Sequence, residues 1–229
     1  MALGCRVVTA GPPGSGVALT FDDGPHPEWT PRILDVLAAH GVVATFFCVG
    51  DNARTHPELV RRIVAAGHEV GNHTQTHPDL HLVTPSRLRR ELSECQSVLE
   101  DLAGGAVHAF RAPYGRFRWD MKDCGSLGLR HLVKWNVAPD PLSPHASAYA
   151  EIVKSQTRDG SIILLHDNLC GVSPRLGALA VPAVIDSLSL FLPTLLAAGH
   201  RFRTVTDQLS PLAGRHTQPS ARHPQVAVS

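Results

Sequence analysis

Short β-type runs alternate with helical patterns almost to the end of the chain. Val17 to Phe21, Ala44 to Val49, His68 to Gly71, Ala109 to Arg111, His131 to Trp135, Ile162 to Leu165 and Phe202 to Thr204 read as strands. Between them apolar residues recur at helical spacing. The clearest helix begins at Thr84-Pro85, a capping residue followed by proline at the first helical position, and places Leu88, Leu92, Cys95, Leu99 and Leu102 on one face. A second follows Pro57, with Leu59, Ile63 and Val64 inward and Arg61 and Arg62 outward. Strands alternating with helices predict repeated βα units and a parallel sheet, hence an α/β chain. Seven strands with neither a linker nor a second set of motifs favour one closed or nearly closed barrel over two domains, although an open doubly wound sheet produces a similar string. The expected organisation is an N-terminal extension over residues 1–16, a folded domain over 17–209, and a tail over 210–229. That tail is rich in Pro, His, Gln, Ala and Ser without periodicity, and reads as disordered.

The chain has 229 residues, enough to bury a core without disulfides or a structural metal. Its 43% hydrophobic and 18% charged residues are those of an ordinary globular protein. A net charge of +1, with no Lys/Arg cluster interleaved with aromatics, offers nothing to nucleic acid. No protein partner is evident either. Cys5, Cys48, Cys95, Cys124 and Cys170 are widely spaced, odd in number and without a CxxC pair, so free thiols are expected, with Cys48 and Cys95 buried. The first sixteen residues lack the features of a secretory signal, and no run of 18 apolar residues points to a membrane span. As written the chain reads as cytoplasmic; with a leader already removed it would read as secreted.

Four strand ends carry residues able to do chemistry. The first strand ends in Asp22-Asp23-Gly24-Pro25, two adjacent carboxylates where the active sites of βα barrels lie. One carboxylate can bind a metal while its neighbour serves as a base toward water, although Asp, Gly and Pro are also ordinary turn residues. The third strand leads into Gly71-Asn72-His73-Thr74-Gln75-Thr76-His77, whose two imidazoles four residues apart can face one ion together with a carboxylate. With 14 His in the chain, that spacing also arises by chance. The fourth strand ends in Phe110-Arg111-Ala112-Pro113-Tyr114-Gly115. There Arg111 can hold a carboxylate by a fork of hydrogen bonds and the turn can aim a backbone N–H at an oxyanion; a surface salt bridge above a tight turn is the plainer reading. The run Ser161 to Leu165 ends in His166-Asp167, a titratable His able to act as a general acid.

Taken in this order, Thr20-Phe21-Asp22-Asp23-Gly24, His73-x-x-x-His77, Arg111-Ala-Pro-Tyr-Gly115 and Leu164-Leu165-His166-Asp167 resemble the polysaccharide deacetylase family, carbohydrate esterase family four. The flanks Ala44-Thr45-Phe46-Phe47 and Gly67-His68-Glu69-Val70 look like it too. The stretch from Val17 to about Asp207 is most similar to the nodulation-type chitooligosaccharide deacetylase branch. The resemblance implies a distorted (β/α) barrel of about seven units. It also implies a divalent cation held by Asp23, His73 and His77, with Zn²⁺ first and Co²⁺ or Ni²⁺ possible. By the same likeness Asp22 is the general base, Arg111 orients it, the Tyr114 N–H helps form an oxyanion hole, His166 is the general acid, and Leu164, Tyr114 and Pro113 meet the substrate.

One element departs from the family pattern. Where relatives carry Asp-x-x-Asp-Trp after the fifth strand, this chain has Trp135-Asn136-Val137-Ala138-Pro139-Asp140-Pro141-Leu142, so that Ala138 and Pro141 replace the aspartates and Leu142 the Trp. Asp140 is the carboxylate close enough in sequence to orient His166 instead. Three readings follow. The first is a deacetylase of N-acetylglucosamine-type sugars in chitooligosaccharide, cell-wall glycan or a related glycoconjugate; the second is a deacetylase of a small N-acetylated sugar in a biosynthetic route; the third is an impaired sugar-binding module. Trp29 and Trp119 read as packing or rim residues, His26 as a solvated loop residue, and His145, His200, His216 and His223 as surface or tail.

Overall fold

The computed structural model describes residues 5–117 and 122–210. In chain order its elements are β1 (Arg6–Val8), β2 (Val17–Asp22), α1 (Trp29–His40), β3 (Thr45–Cys48), α2 (Gly50–Thr55), α3 (Pro57–Ala65), β4 (Glu69–Asn72), α4 (Pro85–Ala103), β5 (Ala109–Phe110), β6 (His131–Val133), α5 (Ala146–Gln156), β7 (Ile162–His166), α6 (Pro174–Ala197), β8 (Phe202–Arg203) and α7 (Val205–Leu209). Each strand read from the sequence is present, with ends within two residues of those expected. The unforeseen one is β1, inside the stretch set apart as an N-terminal extension. Arg6 and Val7 are exposed and only Val8 is buried, so no apolar pattern announces it. It becomes a strand because the edge of β6 offers it partners, Arg6 beside His131 and Val8 beside Val133. Trp119, His216, His223 and the tail from 211 onward lie outside the described residues.

Every strand pair is parallel, in the order β1-β6-β5-β4-β3-β2-β7, with β8 added on β2. The sheet curls back on itself. Beyond β6 the chain continues to Val137, which bridges to Ile163 of β7, and the Leu164 N–H donates to the Val137 carbonyl at 2.9 Å. That seam makes the architecture a distorted (β/α) barrel rather than an open doubly wound sheet. The distortion has a visible source in β2. Val17 and Ala18 pair with β8, whereas Thr20, Phe21 and Asp22 pair with β3, so a short strand is wedged into the base of the curl only.

All six residues of β2 are buried, with Phe21 stacked on Phe46 of β3 at 5.0 Å between ring centres. α4 follows its sequence pattern. Thr84 Oγ1 accepts from the Arg87 N–H, the helix ends at the left-handed Gly104, and Leu88, Leu92, Cys95 and Leu99 face inward. Glu91 and Gln96 are buried beside them, and both serve the site described below. α6 is long and apolar enough to cross a membrane by length and composition, but Val181, Val184, Leu188, Phe191 and Leu192 are buried and it packs against α5 and α1. Its apolarity belongs to the core.

Candidate active site

The C-terminal ends of β2, β4, β5 and β7 converge on a cavity of about 650 Å³. Asp22, Asp23, His73, His77, Tyr114, Leu164 and His166 all line it, as do Gly115, Trp135 and residues 138 to 142. Four stretches separated by up to 144 positions are therefore one site, because parallel strands deliver their C-terminal ends to the same face.

Asp23 sits just past β2 with φ of 76°, a left-handed conformation that Asp tolerates better than most side chains. The Asn52 side-chain amide donates to its carbonyl at 2.7 Å and the Asn168 amide at 3.3 Å, which holds the turn. Gly24 must follow: a Cβ there would lie 2.1 Å from Asp167 Oδ2. The Asp23 carboxylate meets both predicted imidazoles on one oxygen, His73 Nε2 at 3.2 Å and His77 Nε2 at 3.1 Å from Oδ1. Burial by itself would raise the Asp23 pKa, but the hydrogen bonds from His73 and His77 win and hold it well below the usual carboxylate range.

The histidine loop is anchored by polar bonds rather than by secondary structure. Thr74 and His77 both have positive φ, 69° and 56°. The Asn72 side chain accepts from the Thr74 N–H and donates to Leu92 O and Gln96 Oε1 of α4. Buried Glu91 accepts from both the N–H and the hydroxyl of Thr76 at 2.8 Å. The His73 ring is fixed by Nδ1, 2.8 Å from the Arg111 carbonyl. That carbonyl only accepts, so Nδ1 carries a proton and Nε2 is the nitrogen turned toward Asp23. Burial opposes the charged form of His73, but Asp22 and Asp23 outweigh it and raise its pKa.

The chemistry of these donors, and two of their three separations, suit a divalent cation. In a tetrahedral site with bonds of about 2.0–2.1 Å, neighbouring ligand atoms stand roughly 3.3 Å apart. The two nitrogens lie at 3.2 and 3.1 Å from Asp23 Oδ1, close to that edge length. Two imidazoles and a carboxylate are also a set that Zn²⁺, Co²⁺ or Ni²⁺ accepts.

Arg111 is fully buried, not a surface salt bridge. Nor is it the expected fork. Nη1 alone donates to Asp22 Oδ1 and to Thr20 Oγ1, each at 2.7 Å, because Nε and Nη2 are taken by the carbonyls of Val133 and Lys134. Its guanidinium lies 4.2 Å from the centre of the Phe47 ring. Burial depresses its pKa and Asp22 partly restores it. Asp22 Oδ2 stays free of Arg111 and lies 3.8 Å from His73 Nε2.

Tyr114 has φ of 58° in the turn Pro113–Gly115, and its exposed ring packs edge-on against His77 at 4.8 Å. Pro113 is buried and shapes the turn, so the cavity wall there is Tyr114 and Gly115. Leu164 presents a small apolar surface beside His166. Among the described residues the His166 imidazole makes no hydrogen bond or ion pair. Burial lowers its pKa despite the nearby Asp23 and Asp22. Asp140 does not orient it: its Oδ1 accepts from the Leu142 N–H at 3.0 Å and the residue is exposed on the cavity rim.

Sequence reasoning left several participants unnoticed. Thr20 shares the Arg111 bond, Trp135 lines the cavity, and Cys170 lies against Asp23, its N–H donating to Asp23 Oδ2 at 2.8 Å. Only a Trp at the end of an apolar strand carried any signal; a Cys in an irregular loop carried none. His26 is half-buried rather than solvated, and its Nδ1 accepts from the N–H of Glu28 and Trp29 at the start of α1.

A family model described as polysaccharide deacetylase matches residues 9–131. The chain is 43% identical over 173 residues to a chitooligosaccharide deacetylase of Rhizobium leguminosarum bv. phaseoli, covering 72% of this chain and 75% of that protein. It is similar in structure to a peptidoglycan N-acetylglucosamine deacetylase solved with a naphthalenyl N-oxidanyl-benzamide, with a TM-score of 0.81, 34% identity, and coverage of 89% of this chain and 92% of that one. A family 4 acetyl xylan esterase from Clostridium thermocellum, solved with a cobalt ion, is similar at a TM-score of 0.71 and 31% identity, covering 84% of this chain and 89% of that one.

Proposed function

The chain belongs to the polysaccharide deacetylase family, and from that premise we propose that it is a divalent-cation-dependent hydrolase of the N-acetyl group on N-acetylglucosamine-type sugars, in chitooligosaccharide, cell-wall glycan or a related glycoconjugate. One observation carries the reading: a carboxylate held by a buried Arg stands beside a second carboxylate on whose single oxygen two imidazole nitrogens converge. A cation bound by Asp23, His73 and His77 would supply Lewis-acid polarisation of the acetyl carbonyl and activation of water. The cobalt ion of the similar esterase supports that chemistry.

The protein's own groups divide the remaining work. Asp22, with Oδ1 tied to Arg111, offers Oδ2 as the base that takes a proton from attacking water. The oxyanion that develops is met by the N–H of Tyr114, on a backbone whose left-handed turn sets its direction. His166 protonates the departing amine. Leu164 packs on the acetyl methyl, and the cavity of about 650 Å³ has the room a sugar unit needs.

The test is acetate release from N-acetylglucosamine monomer and oligomers, using protein stripped of metal and then reloaded with Zn²⁺ or Co²⁺. Release that requires the cation is the expected result, and the monomer-to-oligomer ratio sets the preferred chain length. No release from any of these sugars by folded, loaded protein would overturn the substrate class.

A further inference from the structure

We propose that Cys170 is a fourth protein ligand of the cation, making the centre an Asp-His-His-Cys set that favours Zn²⁺ or Co²⁺ over harder ions. The inference rests on Asp23, His73 and His77 being cation ligands and adds a residue that the family likeness does not assign. The ligand atoms of Asp23, His77 and Cys170 all lie within 4.8 Å of one another. His73 joins them through Nε2, 3.2 Å from the same Asp23 oxygen that His77 approaches at 3.1 Å. One nitrogen, one oxygen and one sulfur thus form a close group, and the His73 nitrogen approaches it from the Asp23 side.

The thiol is held there by the ligand it would assist. The Cys170 N–H donates to Asp23 Oδ2 at 2.8 Å, so the segment after β7 cannot move without disturbing the carboxylate. The sulfur itself has only long contacts, 3.7 Å to the Asp23 carbonyl and 3.9 Å to the Asn52 amide. These are the long, weak hydrogen bonds of a thiol, and binding a cation would replace the one that its S–H donates to the Asp23 carbonyl. It lines the same cavity as Asp23, His73 and His77, and extends into the adjoining pocket between His77, Asn52 and Gly171.

Coordination converts Cys–SH and M²⁺ into Cys–S–M⁺ and a proton released to solvent, with no change of oxidation state. A soft thiolate discriminates against Mg²⁺, Mn²⁺ and Ca²⁺, which prefer oxygen. It also brings the protein donors to four, the number that closes a structural zinc site, where three would leave a position open. Turnover then requires either a fifth position or release of the sulfur, and replacing the thiol is expected to change kcat.

Cobalt makes the question spectroscopic. The full chain, stripped of metal, is titrated with Co²⁺ beside Cys170→Ser, with circular dichroism confirming that both are folded. The expected result is a near-ultraviolet sulfur-to-cobalt charge-transfer band that grows together with the visible d–d bands and is lost in Cys170→Ser while the d–d bands remain. Visible bands without the charge-transfer band in the unaltered chain overturn the proposal and leave the Asp23, His73 and His77 assignment standing. A charge-transfer band that survives in Cys170→Ser belongs to another cysteine and overturns it as well. Failure to develop any cobalt band overturns both readings. A second readout does not depend on colour. Because only a free thiolate is alkylated readily, one equivalent of Zn²⁺ is expected to slow iodoacetamide labelling of Cys170 by at least about tenfold; equal rates with and without Zn²⁺ overturn the proposal.

Discussion

The carbonyl oxygen of Arg111 lies 2.8 Å from Nδ1 of His73, and the side chain of the same Arg donates to Asp22 at 2.7 Å. One residue at the end of β5 thus sets the tautomer of an imidazole from β4 and the orientation of a carboxylate from β2. The backbone N–H of Arg111 is part of the arrangement too, donating to Asn72 O at 3.0 Å. His73 and Asp22, the proposed metal ligand and the proposed base, are therefore coupled through a buried residue that touches neither water nor the cavity.

Removing that residue is expected to damage stability as well as rate. Arg111→Ala leaves Asp22 buried without its partner, a loss on the order of 3–5 kcal/mol for a broken buried ion pair. Urea unfolding followed at two wavelengths measures it. Arg111→Lys keeps the charge but loses the Nε and Nη2 bonds to Val133 and Lys134, and is expected to fall between the two. An Arg111→Ala chain as stable as the original would show that the pair contributes nothing.

Asp22→Asn preserves shape and removes the proposed base. Metal content is expected to stay near that of the parent while acetate release falls by about 10²–10⁴-fold, the usual contribution of general base catalysis. Turnover within a few-fold of the parent would refute the role.

His77→Ala removes a donor that only the loop geometry, not the core, requires. Both bound Zn²⁺ and activity are expected to be lost while the melting temperature of the metal-free chain changes little. Unchanged metal content by atomic emission, with unchanged turnover, would remove His77 from the ligand set.

Ala138→Asp places a carboxylate on the cavity wall that also carries His166. Burial lowers the His166 pKa, and among the described residues no acid hydrogen-bonds to the imidazole to counter it. A general acid works only while protonated, so the alkaline limb of the rate profile is expected below the ordinary histidine range and should move to higher pH in the variant. An identical limb in both proteins would mean that no new carboxylate reaches the ring.

Asp167 is buried, accepts a hydrogen bond from Thr30, and has its pKa raised from 3.8 to about 7 by burial. A carboxyl with a raised folded-state pKa binds its proton more tightly in the folded chain. Its stabilising contribution is complete below about pH 4 and is lost as pH rises through about 7. Asp167→Asn is expected to flatten the fall in stability across that window, read as urea midpoints from pH 4 to 8. Parallel curves would show that Asp167 is ionised in the folded protein.

The alternation of apolar runs and helical periods determined, without any structure, that β and α units repeat, that the strands from β2 to β8 exist, and that α4 starts at Thr84-Pro85. Those features depend on neighbours within a few residues, which is what a sequence records directly. The two carboxylates, the paired histidines and the Arg-x-Pro-Tyr turn were legible for the same reason: each is a local constellation at a strand end. Tertiary structure alone decided what lies between such constellations. β1 is a strand only because β6 offers an edge, and the barrel closes only because Val137 reaches Ile163. Glu91 and Gln96 are buried on an otherwise apolar face because the histidine loop supplies their partners. Arg111 makes one bond to Asp22 instead of two because carbonyls from a neighbouring strand and the residue after its end, more than twenty positions away, claim its other nitrogens. Cys170 comes to face Asp23 across 147 positions of chain. Such contacts are set by how elements pack against one another, where burial and hydrogen-bond satisfaction are shared among residues that carry no common spacing.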